Sequence, residues 1–464
     1  MFRKIYFFWF MACLSAVQAQ PTAPATVGPL RVSNNNRYLV RQDGTPFFWL
    51  GDTGWELFHR LTREEADTYL KRRAAQGFTV IQAVGLAEFA GLRDPNPYGH
   101  LPLLGLNPAT PNEAYFEHVD YVIDRAAQYG LMVAFLPTWG DKVYRENWGQ
   151  GPEIFTPANA RAYGQYVGNR YKTRKNLIWV LGGDRNPRPG SADLAIWRAM
   201  AAGIEAGVGG AQNALMSFHP QPNGTEGGAG HWFQADAWYD FNMHQNGHCR
   251  FTPVYDNITA AYNRLPTKPT LDAEPIYEDH PVCFNATALG TSNACDVRQF
   301  AYLNLFAGAF GHTYGCHDVW QMYGPKHPPV NGPHVFWQEA LELPAANQMI
   351  FVKRLLLARP QTDRVPDQTL IAENNLNPPD RIQATRGRDY AFVYSSFGRA
   401  FTVNPGKISG AAVRATWYDP RTGTTTDAGV FGNKKATRFS PPTTGYGNDW
   451  VLVLDDSTKN YPLP

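Results

Sequence analysis

Two carboxylates follow strand-like apolar stretches at distant points of the chain. Asp184 comes directly after an apolar run and two glycines, in NLIWVLGGDRN (176–186). Glu274 lies in PTLDAEPIYED (269–279) and is followed by a proline, which fixes the backbone. Such a pair can cleave a glycosidic bond, because one carboxyl group protonates the leaving oxygen while the other attacks the sugar or activates water.

The neighbours of these carboxylates predict a different role for each. Asp184 stands just above a dry apolar strand, where burial raises the pKa of a carboxyl group toward that of a useful proton donor. The two glycines let the backbone approach a substrate closely, whereas Arg185 would oppose the rise if it faced the carboxylate. Glu274 suits a rigidly aimed nucleophile, and Asp272, on the same strand face, is expected to orient the site. The alternative for either catalytic candidate is a structural ion pair.

From residue 47 the sequence alternates short apolar runs with amphipathic helical patterns, which is typical of βα units and a parallel sheet. One helix is predicted at 62–77, with Thr62 and Glu65 as a capping box. Eight such units favour a (β/α)8 TIM barrel over an open doubly wound sheet, and no Gly-x-Gly-x-x-Gly follows a strand. The predicted strands lie at 46–55, 78–85, 131–140, 176–187, 214–221, 239–248, 268–279 and 310–323.

The catalytic groups of such a barrel stand at the carboxyl ends of its strands, so the polar and aromatic residues there are candidates for substrate binding. Any one of them could instead be structural, and Asp52 could cap the following helix. Together they predict a binding cleft. The candidates are Asp52, Trp55, Gln82, Trp139, Asn186, His219, Gln245, Asp272, His312 and Trp320, and Trp232 is a further candidate sugar platform beside the other tryptophans.

The last hundred residues or so show alternating strands with Gly, Pro and Asn-rich turns and almost no helical period. We therefore expect a small all-β antiparallel sandwich at 362–464, joined by a short segment to a barrel at 29–358. The loops at 224–238 and 280–295 are expected to overhang the cleft.

The overall composition excludes some partners. There are 42 Lys and Arg against 40 Asp and Glu, so no basic surface for a nucleic acid is predicted. Aromatic residues make up 14% of the chain and suit the flat C–H faces of sugars, although many could simply be core. No cofactor is predicted.

The N-terminus has the layout of a secretory signal. Two basic residues precede an apolar run at 5–17, and cleavage is predicted near Ala19, which gives a signal peptide at 1–19 and a secreted or periplasmic protein. The run is too short for a lasting membrane span. Cys13 as a lipoprotein acylation site is the less favoured alternative.

Four cysteines remain after cleavage, and in an exported protein an even number suggests disulfides. We favour Cys283 with Cys295 and Cys249 with Cys316, because this joins near neighbours. Other pairings and buried thiols stay open. No Cys-x-x-Cys pair is present, so a zinc knuckle is not expected.

The segments FFWLGDTGWELFHRLTREEADTYLKRRAAQGFTVIQ (47–82), LIWVLGGDRN and PTLDAEPIYE resemble the apiosidase-like family of bacterial secreted proteins, glycoside hydrolase family 140 and its relatives. The likeness spans about residues 29 to 358, and the tail resembles the small module, often labelled collagen-binding, that follows that barrel. The resemblance implies Asp184 as acid/base and Glu274 as nucleophile. It also implies action on a plant-type glycan, with pectic, apiose-containing or arabinose-containing polysaccharides as the first expectation.

From the barrel positions we expect the two carboxyl groups about 5 to 5.5 Å apart and hence retention of anomeric configuration. One alternative is a carbohydrate-binding barrel without catalysis. Another is a metal-dependent hydrolase, but HQNGH (244–248) follows a strand and contains glycine, so a helical zinc pair and a metal are not predicted. Its ligands would come from His219, His244, His248, His312 and His317.

Overall fold

The computed structural model describes residues 27–373 and 376–464, which form a parallel barrel with helices followed by an antiparallel β domain. The predicted fold class is confirmed. The predicted signal peptide and Cys13 lie outside the described residues. Within the described ranges no helix is long and apolar enough to cross a membrane.

A small antiparallel sheet precedes the barrel, and eight parallel strands then form the barrel wall. The first sheet is β1 (Leu30–Val32), β2 (Leu39–Arg41) and β3 (Pro46–Phe47). The barrel strands are β4 (Trp49–Thr53), β5 (Val80–Leu86), β6 (Met132–Thr138), β7 (Leu177–Gly182), β8 (Met216–His219), β9 (Asn242–Gln245), β10 (Thr270–Glu274) and β11 (Gly311–Tyr314). Their order in the sheet is β8-β7-β6-β5-β4-β11-β10-β9, and hydrogen bonds from the Asp240 backbone N–H and the Ser217 hydroxyl join β8 to the segment that enters β9.

The helices surround this wall, and the predicted capping box is present at the start of α2 (Arg63–Ala75). Thr62 accepts a hydrogen bond from the backbone of Glu65, whose side chain accepts one in return, at the start of the second helix. The longer helices are α2 (Arg63–Ala75), α3 (Glu113–Gln128), α4 (Pro157–Tyr171), α5 (Asp193–Val208), α7 (Val254–Tyr262), α9 (Ala294–Phe306) and α12 (Pro344–Leu357). The short helices are α1 (Leu57–Arg60), α6 (Gly230–Phe233), α8 (Ala286–Leu289), α10 (His317–Trp320) and α11 (Trp337–Ala340).

Alternate residues of each barrel strand enter two different cores, because successive side chains of a strand point to opposite faces. In β7, Ile178 and Val180 belong to the buried cluster inside the barrel. Trp179 and Leu181 belong instead to the cluster between the barrel wall and its helices. A strand buried on both faces explains why this stretch reads as a continuous apolar run.

The C-terminal domain has a six-stranded antiparallel sheet in the order β12-β13-β14-β19-β16-β17 and a two-stranded sheet of β15 and β18. One face of the larger sheet packs on the barrel, where Tyr394 stacks on Tyr302 of α9 at 4.9 Å and Asp449 pairs with Arg298 at 2.6 Å. The strands are β12 (Val365–Pro366), β13 (Ile382–Arg386), β14 (Tyr390–Ser395), β15 (Phe401–Val403), β16 (Ala412–Tyr418), β17 (Thr425–Gly432), β18 (Thr437–Phe439) and β19 (Trp450–Asp456).

The predicted disulfide pairing is wrong. The structure joins Cys249 to Cys283, with Cα atoms 4.5 Å apart, and leaves Cys295 and Cys316 as buried thiols. An antiparallel β-bridge between Pro281 and Thr291 closes a surface loop, and Cys283 lies exposed on that loop. Cys295 is instead buried in the first turn of α9. Closeness in sequence therefore did not give closeness in space.

Candidate active site

A cavity of about 520 Å³ opens at the carboxyl ends of the barrel strands. Six of the predicted site residues line it: Asp184, Glu274, Trp55, Trp139, Gln245 and Trp320. The other lining residues are Glu88, Phe89, Trp148, Gln221, Pro222, Gly247, His248, Tyr277, His280, Phe284, Val330 and Asn331. The carboxyl groups of Asp184, Glu274 and Glu88 thus share one aromatic-walled space.

The two glycines before Asp184 are required by the shape of the chain. Gly182, Gly183 and Asp184 all have positive φ, at 87°, 109° and 56°. A Cβ atom on Gly182 would lie 2.4 Å from the His219 carbonyl oxygen, and one on Gly183 would lie 2.7 Å from the Trp139 ring. Only glycine tolerates both conditions, so this sharp turn is what lifts Asp184 from the strand into the cavity.

The carboxyl group of Asp184 lies in a setting that favours its protonated form. Burial, followed by the negative charge of Glu274, raises its pKa to about 6. Arg185 opposes this rise only weakly, since the nearest guanidinium nitrogen is 3.9 Å from Oδ2. That guanidinium instead donates to the backbone carbonyls of residues 144 and 145 and stacks on Trp148 at 3.5 Å.

Three polar side chains, from the end of β8, the end of β9 and the loop after β9, favour the anionic form of Glu274. Gln245 Nε2 donates to Oε1 at 2.7 Å, His248 Nε2 lies 3.3 Å from Oε1, and His219 Nε2 lies 3.4 Å from Oε2. Burial alone would raise the pKa of Glu274, but the two histidines outweigh it and lower the pKa well below its usual range.

The tautomer of His248 follows from its other ring nitrogen. Nδ1 accepts the backbone N–H of Tyr277 at 3.4 Å, so the proton lies on Nε2, which faces Glu274. Tyr277 also lines the cavity, and burial with the charge of Glu274 raises the pKa of its phenol well above the usual value.

Two predicted site residues lie beneath the cavity and brace the strand that carries Glu274. Asp272 is fully buried, accepts hydrogen bonds from Asn246 and Asn304 at 2.8 and 2.9 Å, and accepts the backbone N–H of Glu274 at 3.3 Å. Gln82 crosses the barrel and donates to the Ala273 carbonyl at 3.0 Å. Both are therefore placed to position Glu274.

The remaining histidine and amide candidates do not line the cavity. His219 is buried under the floor beside Glu274, and His312 is buried in the barrel, where burial lowers its pKa to about 3. Asn186 lies at the rim, where its side-chain oxygen accepts the backbone N–H of Gln221 at 2.9 Å.

Asp52 was predicted at the cleft, but its side chain points away from it. Oδ2 accepts hydrogen bonds from Arg73 and from the Tyr69 hydroxyl, both at 2.6 Å and both from α2. All three side chains are fully buried. Since β4 is followed by a helix that packs on its outer face, the carboxylate ties strand to helix.

Trp232 and the 224–238 loop are not among the residues that line the cavity. The loop turns down beside β9, where Ala229 N donates to the Met243 carbonyl at 2.9 Å and Gly230 N donates to Asn242 at 2.7 Å. Trp232 on this loop is half-buried outside the cavity. The 280–295 loop does reach the cavity, through His280 and Phe284.

Glu88 and Trp148 line the cavity and escaped the sequence analysis. The strand β5 continues to Leu86, so Gln82 lies within the strand. The polar side chain that follows the end of β5 and lines the cavity is that of Glu88. The signal was present, because VGLA continues the apolar run past residue 85. Trp148, 49% exposed, lies in a polar Gly-containing loop, where a single aromatic residue gave no signal that set it apart from an ordinary surface residue.

No metal site is evident among residues 27–373 and 376–464: no three His, Cys, Asp or Glu side chains are grouped to hold an ion. The arrangement places carboxyl groups with opposite pKa shifts in a shared space: burial raises the pKa of Asp184 and of Glu88, whereas the histidines lower the pKa of Glu274. A protonated acid can donate to a leaving oxygen, and a desolvated carboxylate can attack a carbon centre that develops positive charge.

Comparison with known proteins agrees with this chemistry. A family model described as "Apiosidase-like, catalytic domain" matches residues 33–363, and one described as "Putative collagen-binding domain of a collagenase" matches residues 365–455. A search of curated proteins found no match.

Two solved structures are similar over nearly the whole chain. One is a glycoside hydrolase family 5 protein from Bacteroides vulgatus ATCC 8482, with 35% identity, a TM-score of 0.87 and coverage of 95% of this chain and 96% of that one. The other is named as a glycoside hydrolase, with 36% identity, a TM-score of 0.87 and coverage of 96% and 100%.

Proposed function

This chain belongs to the family of apiosidase-like catalytic domains and is a glycoside hydrolase, and on that basis we propose that it cleaves glycosidic bonds with retention of configuration. In this proposal Asp184 is the acid/base and Glu274 the nucleophile. The observation that carries two-carboxylate cleavage is that Asp184 and Glu274 line one cavity with pKa values shifted in opposite directions, upward for Asp184 and downward for Glu274. Retention is expected from the placement of the pair after β7 and β10 and from the family resemblance.

The reaction proceeds in two steps. Asp184 protonates the glycosidic oxygen while a carboxylate oxygen of Glu274 attacks the anomeric carbon, which breaks the C–O bond and forms a glycosyl ester. The negative charge of Glu274 is one cause of the raised pKa of Asp184, and esterification removes that charge. The pKa of Asp184 then falls, and its carboxylate can take a proton from the water that hydrolyses the ester.

The proposed substrate is a plant-type polysaccharide or oligosaccharide, with pectic glycans that contain apiose or arabinose first. The family resemblance suggests this class, and the aromatic walls of the cavity, Trp55, Trp139 and Trp320, suit sugar rings. We propose a secreted or periplasmic protein, since the Cys249–Cys283 disulfide is typical of oxidising compartments and residues 1–19 have the signal layout.

The test is a screen of the purified protein on rhamnogalacturonan II, arabinan and oligosaccharides derived from them. NMR of the first product formed should show the anomeric configuration of the substrate. Asp184→Asn and Glu274→Gln serve as matched controls, because each keeps the size of its side chain. Inverted product, or full activity in both variants, would contradict the proposal.

A further inference from the structure

A row of partly exposed aromatic side chains leads from the rim of the cavity to the C-terminal domain. Phe284 lines the cavity and is 65% exposed. Phe251 is 42% exposed and contacts Phe397 at 6.1 Å between ring centroids. Phe397, in the C-terminal domain, contacts Tyr446 at 5.7 Å, and Tyr446 is 46% exposed. We call these four residues the aromatic track.

Two members of the track are held in a costly backbone conformation. Phe251 has φ of 61° and Phe284 has φ of 59°, in the left-handed region that bulky side chains rarely adopt. Strained residues of this kind persist where surrounding structure fixes them, and they cluster at ligand sites. The backbone thus holds both rings on the surface instead of letting them turn inward.

The disulfide fixes the two loops that carry these rings. Cys249 lies two residues before Phe251, Cys283 directly precedes Phe284, and the two cysteines are joined. Cys283 N also donates to the carbonyl of His248 at 2.9 Å. The rings of His248 and His280 pack against Phe284 at 5.7 and 4.9 Å, so the track begins beside a partner of Glu274.

Polar groups accompany the rings at the far end. The Tyr446 hydroxyl accepts a hydrogen bond from Asn293 at 2.9 Å and lies 3.1 Å from Asp296 Oδ1. Asp296 in turn pairs with Arg250 at 2.9 Å, next to Phe251. Flat apolar faces beside hydroxyl, amide and charged groups match a sugar chain, which has C–H faces and a hydroxyl edge.

We propose that the aromatic track binds the polysaccharide chain of the substrate beyond the bond that is cleaved, so that the C-terminal domain contributes to substrate binding. The proposal rests on the proposed function of the cavity, which Phe284 lines and to which the Cys249–Cys283 disulfide ties the loop of Phe251. A polymer held along several rings dissociates slowly, because neighbouring contacts act at high effective concentration. A short substrate that fills only the cavity gains nothing from the outer rings.

The test compares Phe251→Ala/Tyr446→Ala with the wild type by electrophoresis in native gels that contain rhamnogalacturonan II or arabinan. We expect at least one polymer to retard the wild type and the double variant to bind it about tenfold more weakly. Val430→Ala, at a 63% exposed position of β17 away from the track, should bind like the wild type. Unchanged thermal unfolding of the double variant shows that it is folded.

Retardation of the double variant equal to that of the wild type would overturn the proposal, as would a wild type that neither polymer retards. A wild type that dimerises through these rings in sedimentation, with no polymer binding, would assign the surface to a second copy and overturn it too. Hydrolysis of a chromogenic aryl glycoside tests the proposed function separately. The rate of aryl glycoside hydrolysis should be the same in the double variant and the wild type. Gel retardation measures binding without turnover, so the two proposals can fail independently.

Discussion

The ends of β7 and β10 present the same functional group to one cavity and surround it differently. At β7 a glycine turn lifts Asp184 above an apolar strand with few donors, so burial and the charge of Glu274 dominate its pKa. At β10, Gln245 donates to Glu274, and the imidazoles of His219 and His248 lie 3.4 and 3.3 Å from its carboxylate. The difference teaches that the neighbours of a carboxylate, and not the residue itself, set the direction of its pKa shift and with it the role that we propose for it.

Removing the carboxylate at the end of β10 should have the largest effect. We expect Glu274→Gln to lower kcat by at least about 10⁴-fold, because no covalent ester can form. The variant should also lower the pKa of Asp184, since one cause of its rise is lost. Steady-state kinetics and carbon-13 NMR titration of the aspartate measure both. Retained activity would refute the nucleophile assignment.

Removing the carboxyl group at the end of β7 should give an effect that depends on the leaving group. Asp184→Asn should lower kcat about 10²–10⁴-fold on a natural glycan, whose leaving oxygen needs a proton. The first step on a dinitrophenyl glycoside should slow by less than about tenfold, since that leaving group is stable as an anion. Equal losses on both substrates in pre-steady-state kinetics would count against Asp184 as the acid.

The opposite pKa shifts predict an acidic optimum. Asp184 must be protonated, and its pKa of about 6 means that the proton is present below that pH and lost as the pH rises through it. Glu274 must be ionised, and its lowered pKa keeps it ionised below its usual range. Above the optimum kcat/KM should fall about tenfold per pH unit. A profile that is flat up to pH 8 would argue against this assignment.

Replacing the histidines beside Glu274 should make the surroundings of this carboxylate more like those of Asp184. His219→Gln and His248→Gln should each raise the pKa of Glu274, so activity on the acidic side of the profile is lost at a higher pH than in the wild type. A role in packing alone would change stability and leave the acidic limb unmoved. The pH dependence of kcat/KM for both variants distinguishes the two.

A buried carboxylate outside the cavity should affect stability and leave the chemistry almost intact. Asp52→Asn removes the partner of buried Arg73 and should cost about 3–5 kcal/mol of unfolding free energy. The kcat of the remaining folded enzyme should change by less than about twofold, as expected for a residue outside the active site. Urea unfolding gives the first value and titrated active enzyme the second. A large loss of kcat would place Asp52 in the catalytic machinery.

Periodicity and strand-end reasoning were sufficient for the barrel and for the location of the two proposed catalytic carboxylates. Both are local signals: an apolar run long enough to be buried on both faces, and a polar residue where it stops. The same reasoning failed at β5, where the run continues past Gln82 and the acidic residue at the cavity is Glu88. A strand end misplaced by a few residues changes which side chain reaches the cavity.

The sequence by itself determined the order of the barrel strands and their helices and the presence of carboxylates at two strand ends, because each depends on residues adjacent in the chain. Only the tertiary structure decided that Asp52 faces Arg73, that Cys249 pairs with Cys283 and that Glu274 meets two histidines. Those outcomes depend on contacts between elements far apart in sequence, whose distances the local pattern does not encode.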